Sequence, residues 1–160
     1  MGDRVKIINS FYDKTGEDSR LLRSRHGQLE YLTTMHYIHK FVPDTARILE
    51  VGAGTGRYSI TLAKEGHMVT AMELVSKNLE ILRENSKGIG AISAVQGDAL
   101  DLGGLKDNTF DCTLVFGPLY HLYDKKDQLT ALSEAIRVTK GSGLIMVAFL
   151  SVHAIMFGNY

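Results

Sequence analysis

Apolar residues recur along this chain in two alternating rhythms. From Gln28 to Val42 they fall at Tyr31, Leu32, Met35, Ile38 and Val42, the spacing of one helix face, and Pro43 with Asp44 stops the run. Arg47–Val51 (RILEV) is a short, nearly continuous apolar run, as a strand covered on both faces requires. Helical spacing returns from Tyr58 to Glu65, and Gly66 is placed to end it in a left-handed cap. The pair then repeats. A strand centred on Val69–Met72 ends at Glu73, and a helix capped by Ser76 runs to Asn85 with Leu79, Leu82 and the stem of Arg83 inward. Weaker and stronger strands follow at Ala91–Val95 and Phe110–Phe116. Asp124 opens a helix with Leu129, Leu132 and Ile136 on its inner face, and Gly143–Leu150 is a fifth strand.

Five strands alternating with helices predict an α/β fold: a Rossmann-like open parallel sheet with right-handed crossovers and helices on both faces. At 160 residues the chain suits one domain. Residues 44–160 are expected to form it, with residues 1–43 as an N-terminal helical cap. Ligands on such sheets sit at the carboxyl ends of the strands, near the switch in strand order.

Composition narrows the partners. Hydrophobic residues make up 44% and charged residues 22%, with 18 basic residues against 18 acidic. That balance offers no broad phosphate-binding surface and argues against nucleic acid. No run approaches a membrane span. The lone Cys112 and the absence of an export signal favour the cytoplasm. Met68, Met72, Met146 and Cys112 lie within strand patterns and are expected in the core. His36 and His39 share a helix, but no third ligand is evident, so no metal is expected.

Candidate chemistry begins where the first strand stops. Gly52, Gly54 and Gly56 read GxGxG, one residue tighter than the GxGxxG of dinucleotide folds. Such turns also occur where a strand merely packs close on a helix. Glu73 then closes the second strand, where a carboxylate can accept from both hydroxyls of a ribose. At the end of the third strand comes Gln96-Gly97-Asp98-Ala99. An acid there can accept from an exocyclic amine, and the next N–H can serve a ring nitrogen.

These segments, EVGAGTG at Glu50–Gly56, Glu73, QGDA at Gln96–Ala99 and FDCTLVFGPLYHL at Phe110–Leu122, resemble the class I S-adenosylmethionine-dependent methyltransferases. More narrowly, they are similar to the bacterial small-molecule group likened to ubiquinone and menaquinone biosynthesis enzymes. The resemblance spans about Ala46 to Leu150. It implies S-adenosyl-L-methionine as cofactor, S-adenosyl-L-homocysteine as product and methyl transfer to a small molecule. Glu50, Gly52, Ala53, Gly54 and Gly56 would cradle the methionine portion and ribose edge, and Glu73 would hold the ribose hydroxyls. Leu74 would pack on the adenine, Asp98 and Ala99 would read its edge, and Phe116 and Gly117 would lie beside the sulfonium.

A proton acceptor helps only if the nucleophile carries its proton into the reaction. Tyr120 and His121, after the fourth strand, are the candidates, although His121 in a loop can equally be a structural hydrogen-bonder. Tyr12, Arg25, His26 and Tyr31, before the first strand, are candidates to reach substrate, while the arginines of Ser19–Leu32 also suit a solvated helix face. Gly117-Pro118-Leu119-Tyr120 replaces the Asn-Pro-Pro-Tyr that would suggest a nucleobase amine.

Relatives continue past the fifth strand through a helix and an antiparallel hairpin, whereas only Ser151–Tyr160 follows it here. An unpaired apolar edge is therefore expected on that strand. Truncation of a longer chain is the favoured explanation, ahead of self-association through the edge or a naturally short variant. Three alternatives to the methyltransferase remain: a nicotinamide-dependent oxidoreductase, disfavoured by the glycine spacing, a non-catalytic module binding the same cofactor, and aminopropyl transfer.

Overall fold

The protein is described here over residues 3–14 and 25–150 of a computed structural model. Two helices, α1 (Asp3–Lys14) and α2 (Arg25–Phe41), precede β1 (Arg47–Val51) and α3 (Arg57–Lys64). Then come β2 (Met68–Glu73), α4 (Ser76–Asn85), β3 (Ile92–Gln96) and β4 (Phe110–Val115). A 3-10 turn at Pro118–Tyr120 leads to α5 (Lys125–Val138) and β5 (Thr139–Val147). The strands form one parallel sheet in the order β3-β2-β1-β4-β5. Strand order switches between β1 and β4, so their carboxyl ends border the crevice where such sheets take ligands.

Both faces of the sheet are covered, which is why the strands read as apolar runs. Ile48 and Leu49 are both fully buried but point oppositely. Ile48 packs with Met35, Ile38, Tyr58 and Leu62 of α2 and α3, and Leu49 with Ala131, Ala135 and Val138 of α5. Burial of each such branched side chain stabilises by about 1.5–3 kcal/mol. α4 covers the first face beside β2, where Leu82 meets Ala53 and Ala71. Gly66, at φ +100°, ends α3 as the sequence predicts, and Asp124 Oδ1 caps α5 by accepting from Lys126 N–H at 2.8 Å.

Several expectations need correction. Ser76 is the first residue of α4, and Val75 caps it without a side-chain bond. Leu129 and Ile136 face solvent, because the small Ala131 and Ala135 turn inward and let α5 lie close to the sheet. Leu32 and Met68 are exposed as well; Met68 opens β2 at the rim of the sheet, outside the core. β5 starts at Thr139, directly on the end of α5, and ends at Val147. Thr139 makes that abrupt change possible, its hydroxyl bonding Ala135 O at 2.6 Å and Thr113 Oγ1 at 2.7 Å. A register shift opposite Phe110 and Cys112 accommodates Gly141 and Gly143 within the strand. Among the described residues β5 pairs with β4 alone.

α1 was not foreseen as a helix of its own. It packs on α4 and buries Val5 and Ile8.

Gly52 stands where β1 meets the crevice. Its φ is +79°, and a Cβ there would lie 2.7 Å from Pro118 Cδ. Gly52→Ala is expected to cost about 1–3 kcal/mol in urea unfolding, from the left-handed backbone and the clash together. An unchanged midpoint would show that the β1–β4 crevice is loosely packed.

Candidate functional site

β1 ends in a turn in which Gly52, Gly54 and Gly56 all have positive φ, +79°, +56° and +92°. Gly52 N–H and Ala53 N–H both donate to Met72 O at 2.9 Å, which ties the turn to β2. Gly56 N–H donates to Ala53 O at 2.9 Å and brings the chain round into α3. The turn is thus held from behind by backbone bonds.

Glu73 completes it. The carboxylate is buried at the end of β2, where Oε2 accepts from Gly54 N–H at 2.7 Å and Oε1 from Val75 N–H at 2.8 Å. Beside it, Leu74 is half-buried, and its carbonyl accepts from Gln96 Nε2 at 3.3 Å. One strand further out, Asp98 Oδ1 accepts from Leu100 N–H at 3.1 Å while Oδ2 pairs with the Arg4 guanidinium. Ala99 is buried next to it. α1 therefore reaches over the end of β3.

Glu50 lies deeper. Its carboxyl is buried and takes a short hydrogen bond from Ser59 Oγ. Burial raises its pKa to about 7; the Ser59 hydroxyl opposes that shift and the charge of Glu73 adds to it.

At the end of β4, Gly117 lies close to Gly52, the Cβ it lacks falling 3.5 Å from Gly52 O. Phe116 meets Tyr58 edge-on, with ring centroids 5.5 Å apart. Tyr120 N–H and His121 N–H donate back to Gly117 O and Pro118 O, and both side chains are half-buried. Burial, then the positive charge of Arg4, lowers the pKa of His121 below its ordinary value. Its imidazole is neutral at pH 7 and able to accept a proton.

Of the four substrate candidates, Tyr31 comes closest to this assembly. It stacks on Tyr58 at 5.3 Å and shares a hydrogen bond with Thr61 at 2.8 Å. Arg25 is exposed in the first turn of α2. The side chains of Tyr12 and His26 lie outside the described residues. His39 bonds Glu65 at 2.9 Å on the far side of α2.

The sequence profile of a family described as a methyltransferase domain matches residues 49–147. The chain belongs to the methyltransferase-domain family.

A demethylmenaquinone methyltransferase of Clavibacter sepedonicus is 32% identical over 145 residues, 90% of this chain and 55% of that protein. The chain spans about half the length of such curated relatives. The crystal structure of the PH0226 protein of Pyrococcus horikoshii matches with TM-score 0.72 at 21% identity, over 85% of this chain and 64% of that one. Phosphoethanolamine N-methyltransferase 1 of Haemonchus contortus matches with TM-score 0.72 at 23% identity, over 89% of this chain and 31% of that one. Its structure contains phosphoethanolamine and S-adenosylhomocysteine. The two structures establish the fold.

The sequence resemblance implies S-adenosylmethionine as the cofactor of this domain. The residues present fit it: a positive-φ glycine turn, a buried carboxylate bonded to the amide of that turn, and a second acid one strand along. Neighbouring strands lie about 4.8 Å apart, so the ends of β3, β2, β1 and β4 span roughly 14 Å, enough for an elongated ligand.

Four residues that shape the site went unrecognised in the sequence. Arg4 and Ser59 act through contacts distant in sequence, with Asp98 and Glu50, and Pro118 does so by packing on Gly52. Arg57 did carry a signal: it is a cation in the first turn of a helix, where the helix dipole disfavours positive charge.

Glu50 makes the domain sensitive to pH. Its folded pKa, about 7, lies above the usual 4.5, so its stabilising contribution is complete below pH 4.5 and is lost as pH rises through 7. Glu50→Gln, which keeps an acceptor for Ser59, is expected to flatten that part of the stability profile. At pH 8 it should gain on the order of 3 kcal/mol at most. Parallel profiles for the two proteins in chemical denaturation would show that Glu50 titrates normally.

Proposed function

We propose that this chain carries the cofactor site and the reaction centre of an S-adenosylmethionine-dependent methyltransferase acting on a small-molecule acceptor. One observation carries the reading: Glu73 is fastened to the amide of Gly54, so the glycine turn and the first acid form one unit beside Asp98 and Phe116. The Glu50–Gly56 turn takes the methionine portion, with Glu50 as its buried support. Glu73 takes the ribose hydroxyls, Leu74 packs on the adenine, and Asp98 with Ala99 takes its edge. Phe116 and Gly117 border the sulfonium.

The bound cofactor supplies an electrophilic methyl group. The protein has to orient the nucleophile and exclude water, and orientation can lower the barrier by roughly 7–11 kcal/mol. Where the acceptor reacts with loss of a proton, neutral His121 takes it, with Tyr120 beside it.

A groove of about 350 Å³ runs from Phe116 along Met146, Val147 and Ala148 to Thr33 and Tyr37 of α2. Its size suits a small molecule and its walls are mostly apolar. A second groove, of about 340 Å³, involves Arg47, Met68 and Phe110 at the amino ends of the strands, remote from the glycine turn. The relative from Clavibacter, named for demethylmenaquinone, supports a small-molecule acceptor. The balanced charge speaks against nucleic acid. No helix among the described residues is long and apolar enough to cross a membrane. A single buried cysteine is consistent with the cytoplasm, and the outer edge of β5 is the surface through which a second copy would pair.

Thermal shift separates this reading from a dinucleotide site. At 100 times its dissociation constant S-adenosylhomocysteine should stabilise the chain by about 2.7 kcal/mol, with NAD giving no shift. A response to NAD alone would overturn the proposal. Glu73→Ala is expected to weaken S-adenosylhomocysteine at least severalfold by calorimetry, and unchanged affinity would remove its role at the ribose.

A further inference from the structure

Three of the four crossovers in the sheet run through a helix: α3 between β1 and β2, α4 between β2 and β3, and α5 between β4 and β5. The fourth does not. From Gln96 at the end of β3 to Phe110 at the start of β4 the chain has to cross two strands, β2 and β1, and it does so in turns alone. A helix satisfies its own backbone groups, whereas a run of turns must find partners elsewhere. The same segment carries Asp98 and Ala99.

α5 supplies those partners. Glu134 Oε2 accepts from Leu102 N–H at 2.8 Å. Arg137 donates through Nη2 to Leu102 O at 2.9 Å and through Nη1 to Leu105 O at 3.0 Å. The two side chains also lock each other, Nε and Nη2 of Arg137 meeting Oε1 and Oε2 of Glu134 at 2.7 and 2.8 Å, a guanidinium fork on a carboxylate fork. That bond from Arg137 outweighs burial and holds the Glu134 carboxyl below its ordinary range, so the pair is charged at neutral pH. Asp107 takes a further bond from Nη1. The end of the helix backbone holds the rest, Asn108 N–H donating to Arg137 O at 3.0 Å and Thr109 N–H to Val138 O at 2.8 Å.

The anchored residue adjoins the turn of Asp98. Asp98 O accepts from Asp101 N–H at 3.0 Å, which closes that turn, and the next amide along the chain is the one bonded to Glu134. Inside the turn Asp98 Oδ1 is tied by Leu100 N–H, while Oδ2 pairs with Arg4. Leu102 itself is buried among Ala131, Ala135 and Val138 of α5. A displacement of Leu102 is therefore passed to Asp98 through the backbone.

We propose that Glu134 and Arg137 are positioning residues of the cofactor site: acting together from α5, they fix the turn in which Asp98 presents its carboxylate to the exocyclic amine of adenine. Both act through Leu102 and neither is catalytic. The proposal rests on the reading of Asp98 as the acid at the adenine edge.

Calorimetry with S-adenosylhomocysteine and S-inosylhomocysteine tests it, because the second compound has a carbonyl in place of the amine. The wild-type chain should prefer the adenosyl compound about tenfold or more, since a hydrogen bond to a charged group goes with the amine. Arg137→Gln should lower that preference severalfold by weakening S-adenosylhomocysteine, and leave S-inosylhomocysteine nearly unchanged. Arg137→Lys, with the charge but not the fork, should recover part of the preference. Glu134→Gln keeps an acceptor for Leu102 and should show a smaller loss; it and Arg137→Lys carry the test if Arg137→Gln does not fold. Urea unfolding of each variant separates a loss of stability from a loss of discrimination. A wild-type preference in every folded variant overturns the positioning role, even where the urea midpoint falls. Equal binding of the two nucleosides by the wild type overturns the adenine role of Asp98 instead, and binding of neither overturns the cofactor reading; each ends this proposal with it.

Discussion

The carboxylate of Glu73 joins three parts of the chain that are otherwise independent. It belongs to β2, it receives the amide of Gly54 from the turn after β1, and it receives the amide of Val75 at the start of α4. Met72 O, one residue earlier, receives two further amides of the same turn. A glycine turn is entropically expensive to order, because glycine loses more backbone freedom than any other residue. Fixed acceptors on β2 offset that cost and leave the turn in one shape. The consequence is functional. The turn is held in that shape where β1 meets the crevice between β1 and β4.

Two acids stand close together at that turn, and the structure divides their tasks. Glu50 is sealed between β1 and α3, bonded to Ser59, and pushed up to about 7 by burial. Glu73 stands at the strand end with two amide donors on its oxygens. The buried acid gives up part of its charge near neutral pH, which reduces repulsion between the pair, while the other faces the ligand side. Outside them stand two cations of different circumstance: Arg4 on α1 has a partner in Asp98, whereas Arg57 has an aromatic plate and an unmet donor.

The fold was legible because periodicity and strand-end chemistry coincide. RILEV, MVTAME and FDCTLV are apolar on both faces since helices cover both faces, and the switch from strand to helix falls at glycine or acid each time. The cofactor-side residues were legible for the same reason: in a parallel sheet every strand end arrives at one edge. Interior detail was less so. Leu129 and Ile136 look like a buried stripe by spacing, but the sheet accepts the smaller Ala131 and Ala135, and no count of apolar residues reveals which stripe fits closer. The engagement of Asp98 by Arg4 depends on a contact across 94 positions, which no local pattern encodes. Met68 is apolar at a strand start and still exposed, because the rim of the sheet is not covered there.

The central claim is that the ends of β1, β2, β3 and β4 grip one ligand together. Amide chemical shifts of the isotopically labelled chain, followed during titration with S-adenosylhomocysteine, test it directly. Gly54, Leu74, Ala99 and Gly117 should move in step with a single dissociation constant. Shifts confined to Arg47, Met68 and Ile92 at the opposite ends of the strands, or separate constants for Gly54 and Ala99, would contradict it.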